Sequence, residues 1–284
     1  MFFSLKLTIA GSKLFLIAPL KTAQRSVLVS MSKGLFPEET RITLEIGKVM
    51  RKTICERIAV ETDDIKPVWK QPRGSYGNNF WQMYSWKLGR DVHFYSSLER
   101  DHGVIVEADP NVVRFCEQPL RIRIKLDGRD RETVIDMLVH FTDGRTQFRE
   151  VKYASAVESA EHDSRLTRQL TAQQEWAFVT ANDYKIVTDH EIRQKPQFLR
   201  NWKQILSHLA PYASYDLAKI ESDILAAFDE RDSWPLGYLA NNVSLRDQQA
   251  VKAAIFRLLH GGLCTAPLDL FPLTNSLIIS RGTK

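Results

Sequence analysis

Asp136 and the run Glu150-Val151-Lys152 put two carboxylates and an ammonium on either side of an Asp143-Gly144 turn signal. Carboxylates hold hard Mg²⁺ ions, which keep several waters and bind phosphate oxygens. Such a metal neutralises charge on a reacting phosphate and lowers the pKa of its water. A lysine beside it can orient that water or stabilise the pentacovalent state. The residue types therefore suit metal-dependent phosphodiester hydrolysis. The pattern is short, however, and a solvated hairpin with a cross-strand ion pair would show the same residues. Asp136 favours chemistry because it interrupts an apolar run, residues 133–141 (TVIDMLVHF), where a charge is costly unless paired or metal-bound.

Turn length decides whether these groups meet. Residues 133–141 and 147–153 (QFREVKY) read as two strands of a hairpin. With a two-residue loop, Asp136 lies opposite Val151. With the loop Thr142-Asp143-Gly144, Asp136 lies opposite Glu150, and Lys152 shares that face. The three-residue loop is favoured and requires Gly144 in the left-handed region. An earlier strand, residues 120–126 (LRIRIKL), turns at Asp127-Gly128 and should extend the hairpin into an antiparallel meander.

A third carboxylate precedes the hairpin. Ser96-Ser97-Leu98-Glu99 opens a helix whose apolar face would carry Leu98, His102, Ile105 and Val106, ending at Asp109-Pro110. Glu99 suits a metal ligand there, but Ser96-x-x-Glu99 is equally a capping box.

The blocks Ser97-Leu98-Glu99-Arg100-Asp101, Asp109-Pro110-Asn111-Val112-Val113, Glu117-Gln118-Pro119, Ile135-Asp136 and Glu150-Val151-Lys152 occur in an order and spacing that resembles the TnsA endonucleases of heteromeric transposons, across roughly residues 74–200. The resemblance implies a PD-(D/E)xK, restriction-endonuclease-like fold: an α/β (α+β) mixed sheet flanked by helices. By that resemblance Glu99, Asp136 and Glu150 are metal-binding and Lys152 is catalytic, with Mg²⁺ as cofactor, two ions in number, and Mn²⁺ able to substitute. It further implies cleavage of one strand at each transposon end, on double-stranded DNA, with a TnsB-like transposase subunit and a TnsC-like ATPase regulator as partners. Ile135 departs from the superfamily's proline, which does no chemistry. A stand-alone restriction or defence nuclease of the same fold, or a non-catalytic adaptor that binds DNA ends, are the rival readings. His140 and Gln118 are read as packing and strand-entry residues.

The chain has 284 residues, room for two domains, and a net charge of +5. Residues 1–30 alone carry +4, so bulk charge says little about DNA. More local is the stretch 65–90, with Lys66, Lys70, Arg73, Lys87 and Arg90, no acids, and interleaved Trp and Tyr. Cations of that kind reach phosphates and aromatics stack on bases, although aromatics more often pack into a core. Three scattered cysteines suit a reducing cytoplasm. The apolar run near residues 14–20 is too short for a membrane span, and no membrane partner is expected.

The expected domains are an N-terminal extension over 1–30, disordered or preceding a true start at Met31; a catalytic domain over 31–192; and a winged-helix-like, partner-binding domain over 193–284. Residues 37–60 show helical periodicity, as do 165–181, with Leu166, Leu170, Gln173, Trp176 and Ala177 on one side, before a strand at 184–188. The C-terminal order of helix, helix, long helix and small hairpin suggests the winged helix. Residues 209–284 are net −1, so protein rather than DNA is the expected contact there.

Overall fold

The computed structural model describes residues 6–10, 13–17, 27–33, 40–45, 65–68, 79–126, 129–159, 165–243 and 247–282. Strands β1 (Lys6–Ala10), β2 (Lys13–Ile17), β3 (Val27–Lys33), β4 (Thr40–Glu45), β5 (Trp81–Ser85) and β6 (Arg90–Phe94) precede helix α1 (Ser97–Ala108). Then come β7 (Val112–Glu117), β8 (Arg121–Leu126), β9 (Arg129–Val134), β10 (Met137–Phe141) and β11 (Thr146–Lys152). Helices α2 (Ala154–Glu158) and α3 (Arg165–Thr180) lead to β12 (Tyr184–Thr188), α4 (Asp189–Ile192), α5 (Pro196–Leu209) and α6 (Ala218–Glu230). The chain closes with β13 (Ser233–Pro235), α7 (Leu236–Asn242), α8 (Gln248–His260), β14 (Cys264–Thr265) and β15 (Ile278–Arg281).

These elements make a mixed α+β protein. The strand order β1-β2-β3-β4-β8-β9 forms one sheet, antiparallel except where β4 runs parallel to β8. A second sheet has the order β12-β11-β10-β7. Two expectations fail here. Residues 40–45 are a strand, not the start of a helix, because their β-branched alternation (TRITLE) pairs with β3 and β8; residues 46–60 of that expected helix lie outside the described residues. Strands β1, β2 and part of β3 also fall within 1–30.

The second correction concerns the meander. Residues 133–141 do not form one strand. β9 ends at Val134 in the first sheet, and β10 begins at Met137 in the second. Between them Ile135 donates its N–H to Leu120 O (3.0 Å), and Asp136 O accepts from Gln118 N–H (2.9 Å). Gln118 takes φ +43°, a conformation rare for a residue with a side chain. The chain thus changes sheets at Asp136. An acidic side chain is tolerated there because the kink leaves it 18% exposed, whereas Ile135, Met137 and Leu138 on either side are fully buried or nearly so.

The chain divides into two compact units that interleave in sequence. One comprises Met1–Ser75, Phe115–His140 and Gly144–Val187; the other Tyr76–Arg114, Phe141–Asp143 and Thr188–Lys284. The core of the first joins Ile122, Ile124, Leu138 and Phe148 to Trp176 and Ala177 of α3, with Phe148 and Trp176 edge to face at 4.9 Å. The core of the second gathers Val104 of α1, Trp202 and Ile205 of α5, Ile224 of α6 and Ile255 of α8. Helix α1 and the β5–β6 hairpin therefore pack with the C-terminal helices, a grouping that a split at residue 192 does not anticipate. Buried Glu107 shows why. Its carboxylate accepts from Ser85 Oγ (2.6 Å), Trp86 N–H (2.9 Å), Lys87 N–H (3.0 Å) and His260 Nε2 (2.8 Å).

Candidate active site

Strand β11 begins where Gly144 lets the chain reverse. Gly144 has φ +82°, and the register runs Met137↔Arg149, Leu138↔Phe148, Val139↔Gln147 and His140↔Thr146. Residues 142–144 are the three-residue loop, and one step beyond Met137 places Asp136 opposite Glu150. Alternation along β11 then gives Glu150 and Lys152 one face and buried Val151 the other.

The three groups meet. Lys152 Nζ lies 2.6 Å from Glu150 Oε1 and 3.7 Å from Asp136 Oδ2. The backbone N–H of Val151 donates to Asp136 Oδ2 at 2.8 Å, which fixes that carboxylate against the neighbouring strand. Glu150 is fully buried, while Asp136 and Lys152 retain 18% and 23% exposure.

Helix α3 holds the second acid from behind. Gln169 Nε2 donates to Glu150 Oε1 (2.7 Å), and one turn later Gln173 Nε2 donates to Glu150 Oε2 (2.9 Å) and to Thr133 Oγ1 (3.0 Å). Tyr184 on β12 donates its hydroxyl to Gln173 Oε1 at 2.7 Å, which fixes the way the amide points. Residue-type reasoning missed Gln169 and Tyr184 and placed Gln173 only on a packing face. The available signal was that placement itself: an amide on an otherwise apolar helix stripe, fully buried, needs polar partners.

Burial pushes the Glu150 carboxyl up to about 8, and the negative charge of Asp136 adds to the shift; Lys152 and the hydrogen bonds oppose both. Asp136 is likewise raised by burial, against the pull of Lys152 and the Val151 N–H. Tyr184 is raised by burial and by the two acids nearby. The chemistry of this donor set fits a divalent cation. Two carboxylates share one ammonium, both hold their protons unusually tightly, and positive charge is what would release them.

Glu99 belongs to the other compact unit, where its own N–H donates to Ser96 Oγ (3.0 Å) and its carboxylate accepts from Tyr95 N–H (3.1 Å). It caps α1. Among the described residues no group of three or more His, Cys, Asp and Glu side chains could hold a metal ion. Lys66 is exposed in the first unit, and Lys70 and Arg73 lie outside the described residues. In the second unit, Lys87 donates its ammonium to Asp109 O (2.9 Å) and Val112 O (2.6 Å), a tie between carbonyls rather than an offer to phosphate. Arg90 donates to Asp91 O at 2.9 Å.

Asp136 at the entry to β10 and Glu150 and Lys152 on β11, backed by an amide-bearing helix, make a donor set suited to a divalent cation and its water. Residues 109–189 match the family described as TnsA-like endonuclease N terminal. Over that segment the chain is similar to the TnsA-like endonucleases, and the match takes in Asp136, Glu150 and Lys152. No curated protein matches the chain. No helix among the described residues is long and apolar enough to cross a membrane.

Proposed function

We propose that this protein is a metal-dependent DNA endonuclease, the subunit of a heteromeric transposase that hydrolyses one strand at each transposon end. The observation that carries the reading is the hairpin register that brings Asp136, Glu150 and Lys152 to one face within a segment matching the TnsA-like endonucleases. Asp136 and Glu150 would hold Mg²⁺, or Mn²⁺ in its place. The bound ion would supply Lewis-acid stabilisation of the phosphate and a more acidic water. Lys152 sits where its ammonium can hold a water or a phosphoryl oxygen beside both carboxylates. Gln169 and Gln173 keep the Glu150 carboxylate in one orientation.

The restriction-endonuclease-like reading of this core rests on the same segment. For the C-terminal part, the order α6-β13-α7-α8-β14-β15, with a three-stranded sheet β13-β15-β14, supports a winged helix. Its long helix is poorly suited to DNA. Arg257 Nη2 is bound to Glu221 Oε2 at 2.7 Å, and Arg257 Nε is bound to the same carboxylate. The segment between β14 and β15 exposes Leu270 and Phe271 while Asn201 holds its backbone at Leu268, Phe271 and Leu273. A rigid loop with exposed apolar side chains suits a protein contact, in this reading a TnsC-like regulator, beside a TnsB-like subunit that handles the other strand.

The test is strand-specific cleavage of transposon-end DNA by the reconstituted assembly with Mg²⁺. Asp136→Ala and Lys152→Ala should each slow cutting by about 10³-fold or more. If both variants cut the same strand at the wild-type rate, the site is elsewhere. Robust cutting by the isolated chain would instead favour a stand-alone nuclease.

A further inference from the structure

Gln118 holds a backbone conformation that its residue type rarely takes. Its φ is +43°, in the left-handed region where glycine sits freely and a residue with a Cβ is strained. Both of its backbone groups are tied: the N–H donates to Asp136 O (2.9 Å) and the carbonyl accepts from Val68 N–H (2.8 Å). At the far end of the same strand pair Thr142 N–H donates to Asn111 O (2.8 Å), so β7 and β10 run antiparallel and Gln118 stands opposite Asp136. Two residues on, Leu120 O accepts from Ile135 N–H (3.0 Å). Three residues, Gln118-Pro119-Leu120, thus face two, Ile135-Asp136. That is a β-bulge whose left-handed position carries Gln where Gly is usual.

Glycine would meet the needs of the backbone there, so the strain is kept for a side chain. Yet that side chain, half-buried, makes no hydrogen bond or ion pair among the described residues. Bulges re-aim side chains beside active sites, and strain of this kind gathers there. Opposite residues of an antiparallel pair begin about 5 Å apart at Cβ, so the Gln118 amide is within reach of an ion that Asp136 binds. Hard divalent cations accept amide oxygens as well as carboxylates.

We propose that the Gln118 carboxamide oxygen is a third oxygen donor, beside Asp136 and Glu150, to the divalent cation of this site. That a cation binds here rests on the metal-dependent reading; that Gln118 reaches it rests on the bulge. The amide is neutral, so it adds a ligand without adding to the repulsion between the two carboxylates.

The experiment is calorimetric titration of the full chain with Mn²⁺ near pH 8, with thermal unfolding of each variant alongside. Gln118→Ala should weaken Mn²⁺ binding about tenfold. Gln118→Gly should weaken it equally while raising the melting temperature by about 2–4 °C, because the strain goes with the side chain. Gln118→Glu should bind more tightly than wild type, and Asp136→Asn should lose binding. Wild-type affinity in both Gln118→Ala and Gln118→Gly, or a loss in Gln118→Ala that Gln118→Gly restores, would overturn the proposal; the second result would assign the role to the backbone. A Gln118→Glu variant that binds no better than Gln118→Ala would overturn it too. Those results leave the metal site standing so long as Asp136→Asn loses binding. Wild-type affinity in Asp136→Asn, or no binding by the wild-type chain, removes the metal site and the proposal together.

Discussion

Two buried carboxylate clusters in this protein are balanced in opposite ways. In the first unit, Asp136 and Glu150 share one ammonium, and both acids are raised, Glu150 to about 8. In the second unit, Asp101 faces three cations. Burial alone would raise Asp101, but hydrogen bonds from Lys203 and Arg100 outweigh it and hold the carboxyl below its ordinary value. Burial is common to both, so the difference lies in the neighbours. A buried acid short of positive charge holds its proton, and one well supplied with it gives its proton up.

The largest expected effect tests the cation-rich side. Asp101→Ala removes the acid on which Arg100, Arg193 and Lys203 converge from α1, α4 and α5, and should cost about 3–5 kcal/mol in denaturant unfolding. Because the folded Asp101 is lowered, its stabilisation is present above the ordinary value of 3.8 and lost as pH falls through the folded value. A loss below about 1 kcal/mol would mean that the three cations do not depend on it, and the comparison would fail on that side.

On the anion-rich side the sign reverses. Glu150 stabilises the metal-free fold fully below its ordinary value of 4.5, and that contribution is lost as pH rises through about 8. A metal must displace the same proton, so Mn²⁺ affinity measured by calorimetry should rise roughly 100-fold from pH 6 to pH 8 and level off above. Affinity that stays flat across this range would show that Glu150 is not the group the ion competes for.

A smaller effect sharpens which residues belong to the first cluster. Gln173→Leu removes a buried donor from Glu150 and an acceptor from Tyr184, and should cost about 1–3 kcal/mol in thermal unfolding. It should also weaken Mn²⁺ binding about tenfold, while a change of stability without a change of metal affinity would make the amide purely structural. Least of all, Gly144→Ala should cost about 1 kcal/mol. A Cβ there meets nothing within 4 Å, so the cost is the positive φ alone, and a stabilised variant would argue against the three-residue loop that aligns the two acids.

Particular residues show how far sequence reasoning reaches here. The hairpin of Asp136, Glu150 and Lys152 was legible because β alternation and turn length are local rules, and Asp143-Gly144 carries the turn in its own chemistry. Helix α3, strand β12 and the helices of the C-terminal part were legible through periodicity. Residues 133–141 were misread as one strand because apolar character does not reveal which sheet a strand joins. The break at Asp136 depends on Gln118 and Leu120 arriving from another part of the chain.

By itself, then, the sequence determined that Asp136, Glu150 and Lys152 share a face, since period-2 alternation and a three-residue turn leave little freedom. Tertiary structure decided what surrounds them. Gln169, Gln173 and Tyr184 reach Glu150 from a helix and a strand that follow it in the chain, and burial rather than composition raises its affinity for a proton. Three cations converge on Asp101 only because α4 and α5 pack on α1, many residues away in sequence. Charge imbalance is a property of packed neighbours, and the order of residues along the chain does not display it.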